Sequence, residues 1–301
     1  VKTTIPFRRE DRLPPGEVET IAPGLRRLLC NNPGPFTFRG TNTYLIGGGA
    51  SVAVLDPGPE DAAHLAAILH ATQGERITHI LVSHTHRDHS PGVAALQAAT
   101  AAPSHGFGPH MTPPEQGGEG GDHAFRPDHR LTDGEAVQGA DWRLVALHTP
   151  GHCANHLCFA LETEDAEGVL FSADLVMGWS TSVVSPPDGE MGAYMASLAR
   201  LQGRQGDRLY LPGHGPSVPD PQNFVAALAA HRRERETLVL EALRRAGPGG
   251  ADAESLVPAV YGPELDPRLM RGAARSLLAH LLKLEAEGAA VRERDGAFRA
   301  L

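Results

Sequence analysis

The stretch that most constrains this chain is Ser83 to Gly92, S-H-T-H-R-D-H-S-P-G, which follows the apolar run Ile80-Leu81-Val82. His84, His86, Asp88 and His89 crowd three imidazoles and a carboxylate into six positions. Neutral imidazole nitrogen and carboxylate oxygen are donors that suit Zn, Fe and Mn. A chain carrying this stretch must end a buried strand at a metal site and bring distant ligands to it. Three candidates lie downstream: His152 in T-P-G-H, Asp174 in F-S-A-D and His214 in L-P-G-H-G, each after a short β-rich run. A mononuclear catalytic zinc takes three protein ligands, so five histidines and two aspartates suit two metals sharing one carboxylate.

The surrounding pattern reads as α/β. Residues 43–46 and 51–55 are β-rich runs around Gly47-Gly48-Gly49, the signature of a hairpin. Residues 61–72 carry Leu65, Ile68 and Leu69 at helical spacing and end near Gly74; 77–82 reads as a buried strand and 92–101 as a helix. Strand, helix, strand, metal loop, helix is an order that sets ligands at a strand's C-terminal end, where open α/β sheets place their chemistry. Residues 103–127 are Gly- and Pro-rich, with G-G-E-G-G at Gly117 to Gly121, and read as a structureless lid or insert. His105, His110, His123 and His129 lie in or beside it as solvated loop residues or substrate-side groups.

Further strands are expected at 142–147, 157–161, 168–172 and 209–211, with a helix at 191–202. After Pro221 the pattern turns helical. A long helix at 223–245 carries His231-Arg232-Arg233-Glu234-Arg235-Glu236 on its exposed side, and helices follow at 253–261 and 267–287. A hairpin at 289–299 turns around Asp295-Gly296. Three helices and a terminal hairpin are the ingredients of a winged helix. The expected division is a catalytic domain, 1–221, and a small winged-helix-like domain, 222–301.

At 301 residues, 41% hydrophobic and 21% charged, the chain has the balance of a soluble globular protein. No apolar run approaches the roughly 18 residues that span a bilayer, so no membrane partner is expected. Residues 1–15 are polar and lack an apolar signal core, which points away from secretion. The start at Val1 is expected to reflect a lost initiator or a trimmed leader. Three cysteines, Cys30, Cys153 and Cys158, fit core thiols in a reducing cytoplasm better than a disulfide framework. The net charge of −9 argues against a general nucleic-acid binder. Lys+Arg and Asp+Glu number 12 and 11 from Gln222 onward but 15 and 25 before it, so the acidic excess belongs to the front.

Taken together in this order, the motifs from Thr41 to Pro216 resemble the metallo-β-lactamase superfamily. The resemblance implies an αβ/βα four-layer sandwich with the metals at one rim. It further implies that His84, His86 and His152 hold one metal, that Asp88, His89 and His214 hold the second, and that Asp174 bridges them. Asp56, in L-D-P-G, matches the carboxylate that fixes a ligand histidine's tautomer. Asp88 and Asp174 depart from the antibiotic-hydrolysing lactamases, so lactamase activity is not expected.

A narrower similarity, to the β-lactamase-like protein 2 group, rests on R-G-T-N-T-Y-L-I-G from Arg39, the Ser83 decapeptide, P-G-H-G-P, the helix H-R-R-E-R-E and L-L-A-H-L-L-K-L-E-A-E-G from Leu277. It implies a binuclear zinc hydrolase, with an animal member cutting single-stranded RNA. Two features depart from that pattern: S-P-G at Ser90 to Gly92, where S-G-G is usual, and the Gly-rich insert.

The chemistry expected of such a site is hydrolysis by a metal-bound hydroxide. Two Zn2+, or Mn or Fe in their place, lower the pKa of a shared water from about 15.7 towards neutrality. Asp88 is the candidate to orient the nucleophile or take its proton, and His156 the candidate acid for the leaving group. One reading of the substrate is single-stranded RNA, supported by the winged domain and by Arg268, Arg271, Arg275 and Lys283. Another is a small ester, thioester or lactone, the chemistry of the glyoxalase II branch. A diiron redox protein is the third, without the additional carboxylates or flavin domain that such proteins carry.

Overall fold

The computed structural model describes residues 3–116, 120–294 and 296–301. The Gly117-Gly118-Glu119 part of the Gly-rich insert, Asp295 of the terminal turn and the side chain of Arg268 lie outside the described residues.

Two sheets face each other. The first runs β1 (Val18–Ala22), β2 (Leu25–Leu29), β3 (Asn42–Gly48) and β4 (Ser51–Leu55), all antiparallel. It then passes through helix α1 (Ala62–Ala71) to β5 (Ile77–Leu81), parallel to β4, and through helix α2 (Gly92–Thr100) to β6 (Ser104–Gly106) and β7 (His129–Arg130), also parallel. The second sheet contains β8 (Ala136–Gln138), β9 (Arg143–His148), β10 (Leu157–Glu162), β11 (Val169–Ala173) and, after helix α3 (Met191–Gln202), β12 (Leu209–Pro212). Its spatial order is β12-β11-β10-β9-β8, with only the β11–β12 pair parallel.

Strand alternation builds the layers. On β3 and β4, Tyr44, Ile46, Ala53 and Leu55 face Phe159, Phe171 and Leu211 of the second sheet in the central core. Leu45, Val52 and Val54 point the other way, onto Ile68 of α1 and Leu96 of α2. The outer face of the second sheet, with Leu170 and Tyr210, packs under Leu198 and Leu201 of α3. The result is the expected αβ/βα sandwich.

The C-terminal part comprises α4 (Pro221–Ala246), α5 (Ala253–Tyr261), α6 (Met270–Ala286) and the hairpin β13 (Ala290–Arg292) and β14 (Phe298–Ala300). Its core joins Val239 and Leu243 of α4 to Val257, Leu277, Leu281 and Phe298. The first half of α4, through Phe224, Val225 and Leu228, packs instead on the second sheet's helical layer. One helix therefore runs through both cores.

Two expectations are corrected. Residues 103–127 are not structureless: Ser104 and His105 pair with Ile80 and Leu81, and His105 with His129, extending the first sheet. A three-residue Ser-His-Gly strand has no apolar alternation to reveal it, and it forms because β5 offers a free edge. Further along, Arg87 N donates to Gly120 O at 3.0 Å and Asp122 N to Thr85 O at 2.7 Å, laying the insert against the metal loop. Arg232 is not on an exposed face of α4. It is buried, its Nη2 donates to Ser182 O, and its guanidinium stands 5.3 Å from the Tyr194 ring centroid.

Candidate metal centre

The singled-out residues stand where strands end. His84, His86, Asp88 and His89 follow β5, His152 follows β9, Asp174 is the first residue after β11, and His214 lies just past β12. The two sheets are tied at this rim by Leu157 N to Ser83 O at 2.7 Å and Asn42 N to Gly213 O at 2.7 Å. Asp56 and Ala173 adopt left-handed φ values of 53° and 43°, turning the chain sharply as it leaves β4 and β11. Strain of this kind in non-glycine residues gathers at functional sites.

The donor atoms converge. His84 Nε2 and His152 Nε2 each lie 3.0 Å from His86 Nδ1. His89 Nε2 lies 3.3 Å from His214 Nε2, and His214 Nε2 lies 3.2 Å from Asp88 Oδ2. Asp174 Oδ2 is 3.6 Å from His152 Nε2 and 3.4 Å from His214 Nε2, so one carboxylate reaches both clusters. His84, His86 and His152 form one group able to hold a metal ion, and Asp88, His89 and His214 another.

The opposite ring nitrogens explain why a cation fits. His152 Nδ1 donates to Val183 O at 2.6 Å, His214 Nδ1 to Gly40 O at 3.1 Å and His89 Nδ1 to Asp56 Oδ2 at 3.0 Å. Ser83 Oγ donates to Asp56 Oδ2 at 2.6 Å and so can accept from His84 Nδ1 at 2.9 Å. Each of these rings has an acceptor for a proton on Nδ1, so that in its neutral form Nε2 is a lone pair aimed at its neighbours. His84 Nε2 and His152 Nε2 both present lone pairs to His86 Nδ1 at 3.0 Å, and a single proton there can serve only one of them, so a cation among the three nitrogens relieves the crowding. Asp174 Oδ1 is also buried without a hydrogen-bond partner. The donor set fits two divalent cations.

Electrostatics separates the two groups. Burial, reinforced by His152, pushes His86 down to about 3, and burial with His89 and His86 puts His84 well below its usual range. These imidazoles are neutral and ready to ligate. Burial would lower His214 too, but Asp174 and Asp88 outweigh it and raise His214 to about 10. His89 is likewise raised, against its burial, by Asp88, Asp174 and Asp56. Without cations, protons balance the carboxylates of the second group, and cations entering there must displace them.

Close approach depends on Gly213. A Cβ at this position would sit 2.4 Å from Asp174 Oδ1 and 2.7 Å from His89 Cε1. His156 is fully buried; its Nδ1 donates to Thr149 Oγ1 at 3.0 Å and its Nε2 accepts from the Asp174 backbone N–H at 3.2 Å. Both nitrogens are engaged in bracing Asp174, and His156 is absent from the cavity lining. Burial raises Cys30 and Cys158 to about 12 and Cys153 well above the usual thiol range, and all three are free buried thiols.

A cavity of about 680 Å³ opens over the donors. His86, Asp88, His152 and Asp174 form its floor, and Phe36, Met177 and Val183 contribute carbon surface. His110, one of the histidines left open as a substrate-side group, also lines it, as does Asp188, which sequence reasoning missed and which accepts from Thr112 Oγ1 at 3.0 Å. Sequence reasoning missed the position of Arg271 and Arg275 as well, which form a wall from α6. The i, i+4 spacing of the two arginines was the available signal.

Comparison with known proteins agrees with this geometry. Residues 36–214 match the Metallo-beta-lactamase superfamily and residues 253–299 the Beta-lactamase associated winged helix domain. An atrochrysone carboxyl ACP thioesterase of Paecilomyces divaricatus is 33% identical over 92% of this chain and 84% of its own length. A lactamase-like protein of Pestalotiopsis microspora is 36% identical over 77% of this chain and 68% of its own length. The crystal structure of a metallo-beta-lactamase family protein from Thermus thermophilus superposes with a TM-score of 0.77 at 26% identity, covering 94% of this chain and 100% of that one. With its sandwich, its convergent histidines and aspartates and its C-terminal winged helix, the chain belongs to the metallo-beta-lactamase superfamily, as a hydrolase carrying the associated winged-helix domain.

Proposed function

We propose that this protein is a binuclear zinc hydrolase of small acyl thioesters, with His84, His86 and His152 on one ion, Asp88, His89 and His214 on the other, and Asp174 between them. The observation that carries the reading is the convergence of lone pairs and carboxylates on the floor of a cavity with an apolar side. Divalent cations held by these residues would supply a water ionised near neutral pH and a charge to polarise the acyl oxygen. Asp88, whose side chain is 27% exposed, is the floor carboxylate placed to take the nucleophile's proton. Phe36, Met177 and Val183 offer the acyl chain a surface to bury.

The leaving group favours a thioester. A thiol with an ordinary pKa of about 8.5 departs as a thiolate without prior protonation, whereas an alkoxide needs an acid. The one proton of neutral His156 is committed to Thr149 Oγ1, and the ring does not line the cavity. The activity named for the fungal relatives is of the same class. A second reading, kinship with the β-lactamase-like protein 2 group and cleavage of single-stranded RNA, is favoured by the winged-helix match alone. We also read the chain as a catalytic unit, 1–221, and a C-terminal unit, 222–301, and the buried free thiols as fitting a reducing cytoplasm. Among the described residues no helix is long and apolar enough to cross a membrane.

Zinc-loaded protein should hydrolyse a panel of acyl-pantetheine thioesters, lose that activity with chelator and in Asp174→Ala, and leave a quenched single-stranded RNA intact. RNA cleavage without thioester turnover would reverse the order of the two readings. Elemental analysis of protein as isolated distinguishes zinc from iron or manganese.

A further inference from the structure

Part of the cavity wall lies outside the proposed metal centre. It comes from α6, outside the sandwich, and presents Arg271, Gly272 and Arg275. Residues four apart on a helix share a face, so the two guanidiniums stand side by side. Gly272 between them lines the cavity too, and a Cβ there would meet no atom within 4 Å. Glycine early in a helix costs about 1 kcal/mol relative to alanine, and at this position it leaves room beside the arginines. Arg275 is held in place by its Nε, which donates to Ser185 Oγ.

The charge of the cavity sets the sign of what it accepts. Arg87, Arg271 and Arg275 line it against Asp88, Asp174 and Asp188. Two of those carboxylates belong to the proposed metal centre, where divalent cations more than neutralise them. Among the described lining residues the three arginines then face one remaining carboxylate, Asp188, in a chain whose net charge is −9. Such a local reversal concentrates anions against the sign of the whole surface. Arginine forks bind phosphate and carboxylate through paired, charge-assisted hydrogen bonds.

We propose that Arg271 and Arg275 form an anion subsite that selects acyl thioesters bearing a negatively charged group away from the scissile bond. This rests on the thioester reading above and adds the substrate's charge to it. The anion has two chemical sources, a phosphate on the thiol arm or a carboxylate on the acyl chain. Gly272 leaves space for either beside the arginines.

The test compares three thioesters on zinc-loaded protein: hexanoyl-pantetheine, hexanoyl-phosphopantetheine and adipoyl-pantetheine. The wild type is expected to favour at least one charged substrate over the neutral one by about 10-fold or more in kcat/KM, and raised salt should erode that ratio. In Arg271→Gln/Arg275→Gln the ratio should fall towards one. Ser185→Ala, which frees Arg275 but keeps its charge, should retain a preference of the same sign. Preference for the phosphorylated arm places phosphate at the subsite, and preference for the adipoyl chain places carboxylate there. A wild type indifferent to both charges, or a preference that persists in the double variant, overturns the proposal.

A binding titration separates this outcome from failure of the thioester reading. S-methyl phosphopantetheine and S-methyl pantetheine cannot be hydrolysed, and non-hydrolysable thioether analogues carrying or lacking a terminal carboxylate on the acyl side serve the other arm. The same arginine-dependent difference in affinity is expected even if no thioester turns over. Its absence refutes the subsite.

Discussion

Asp56 is the most informative single residue to change, because one carboxylate serves ligands of both proposed metal sites. Its Oδ1 accepts from Ser83 N at 2.7 Å, and its Oδ2 accepts from Ser83 Oγ at 2.6 Å and from His89 Nδ1 at 3.0 Å. Asn is the nearest replacement in shape and tolerates the left-handed φ of 53° held by Asp56. Its amide can face these donors in two ways. Turned towards the Ser83 backbone N–H, the NH2 meets a donor that cannot rotate. Turned towards His89, it faces Nδ1–H, and His89 must move its proton to Nε2. That is the nitrogen aimed at Asp88 and His214, so His89 loses its lone pair for the cation.

Losing a hydrogen bond to a charged group costs about 1.5–3 kcal/mol, which at about 1.4 kcal/mol per tenfold is a 10–100-fold loss of affinity. Asp56→Asn should therefore weaken the second cation by about 10–100-fold and the first by less. Ser83→Ala removes the acceptor of His84 Nδ1 instead, and should weaken the first cation by about tenfold while sparing the second. Competition titrations with a chromophoric chelator give both stepwise constants, and thermal unfolding of metal-free protein checks that each variant folds. Finding both constants of Asp56→Asn within about threefold of wild type would refute the tautomer argument.

Three further outcomes follow from the geometry. Affinity for the second cation should fall as pH drops from 8 to 6, by about tenfold per unit for each proton displaced from His89 or His214, both of which titrate high. The first site, with His86 neutral down to about 3, should be nearly flat over that range, and equal slopes for the two sites would contradict the assignment. Burial lowers His64 from 6.5 to about 4, and its Nε2 donates to Thr43 Oγ1 at 2.8 Å while its buried Nδ1 has no partner. The unfolded chain then takes up the proton first, so this stabilisation is complete above pH 6.5 and is lost as pH falls through 4, on the order of 2–3 kcal/mol. His64→Gln keeps a donor without titrating, and its pH profile of unfolding should stay flatter than wild type; parallel profiles would sink the idea. Gly213→Ala should push Asp174 and His89 apart, reducing bound metal towards one ion per chain at a stability cost of about 1–3 kcal/mol, and retention of two ions would show that the rim relaxes more easily than the contacts imply.

The donors were legible because their signal is local and chemical. H-x-H-x-D-H crowds ligand-type side chains wherever it folds, and P-G-H after a strand needs only a count of residues. Long periodic elements were legible too, with α3 at Met191–Gln202 and the β3–β4 hairpin as expected. What stayed hidden depends on distant partners. Strand β6 exists because β5 has an edge to extend, and Arg232 is buried because Tyr194 and Ser182 O wait more than thirty residues back in sequence. His156 looked like a titrating group from its spacing to His152, yet its role is decided by Thr149 Oγ1 and the Asp174 N–H on either side. Arg271 and Arg275 read only as basic residues offered to RNA until α6 is laid over the cavity.

The shared helix α4 decides how this protein can be recombined. The converging donors all precede Pro221, whereas the arginine wall lies beyond residue 270, so the proposed chemistry and the proposed selectivity fall on separate stretches of the chain. A chimaera joined at Pro221 would nonetheless strip Phe224, Val225 and Leu228 from under the second sheet and replace them with residues selected against another scaffold. A join at Gly247 to Gly250 keeps α4 whole but parts Val239 and Leu243 from Leu277 and Leu281, and takes Ala279 of α6 out of the second sheet's helical layer. The arginine wall cannot be exchanged without refitting the helices that carry it to both cores.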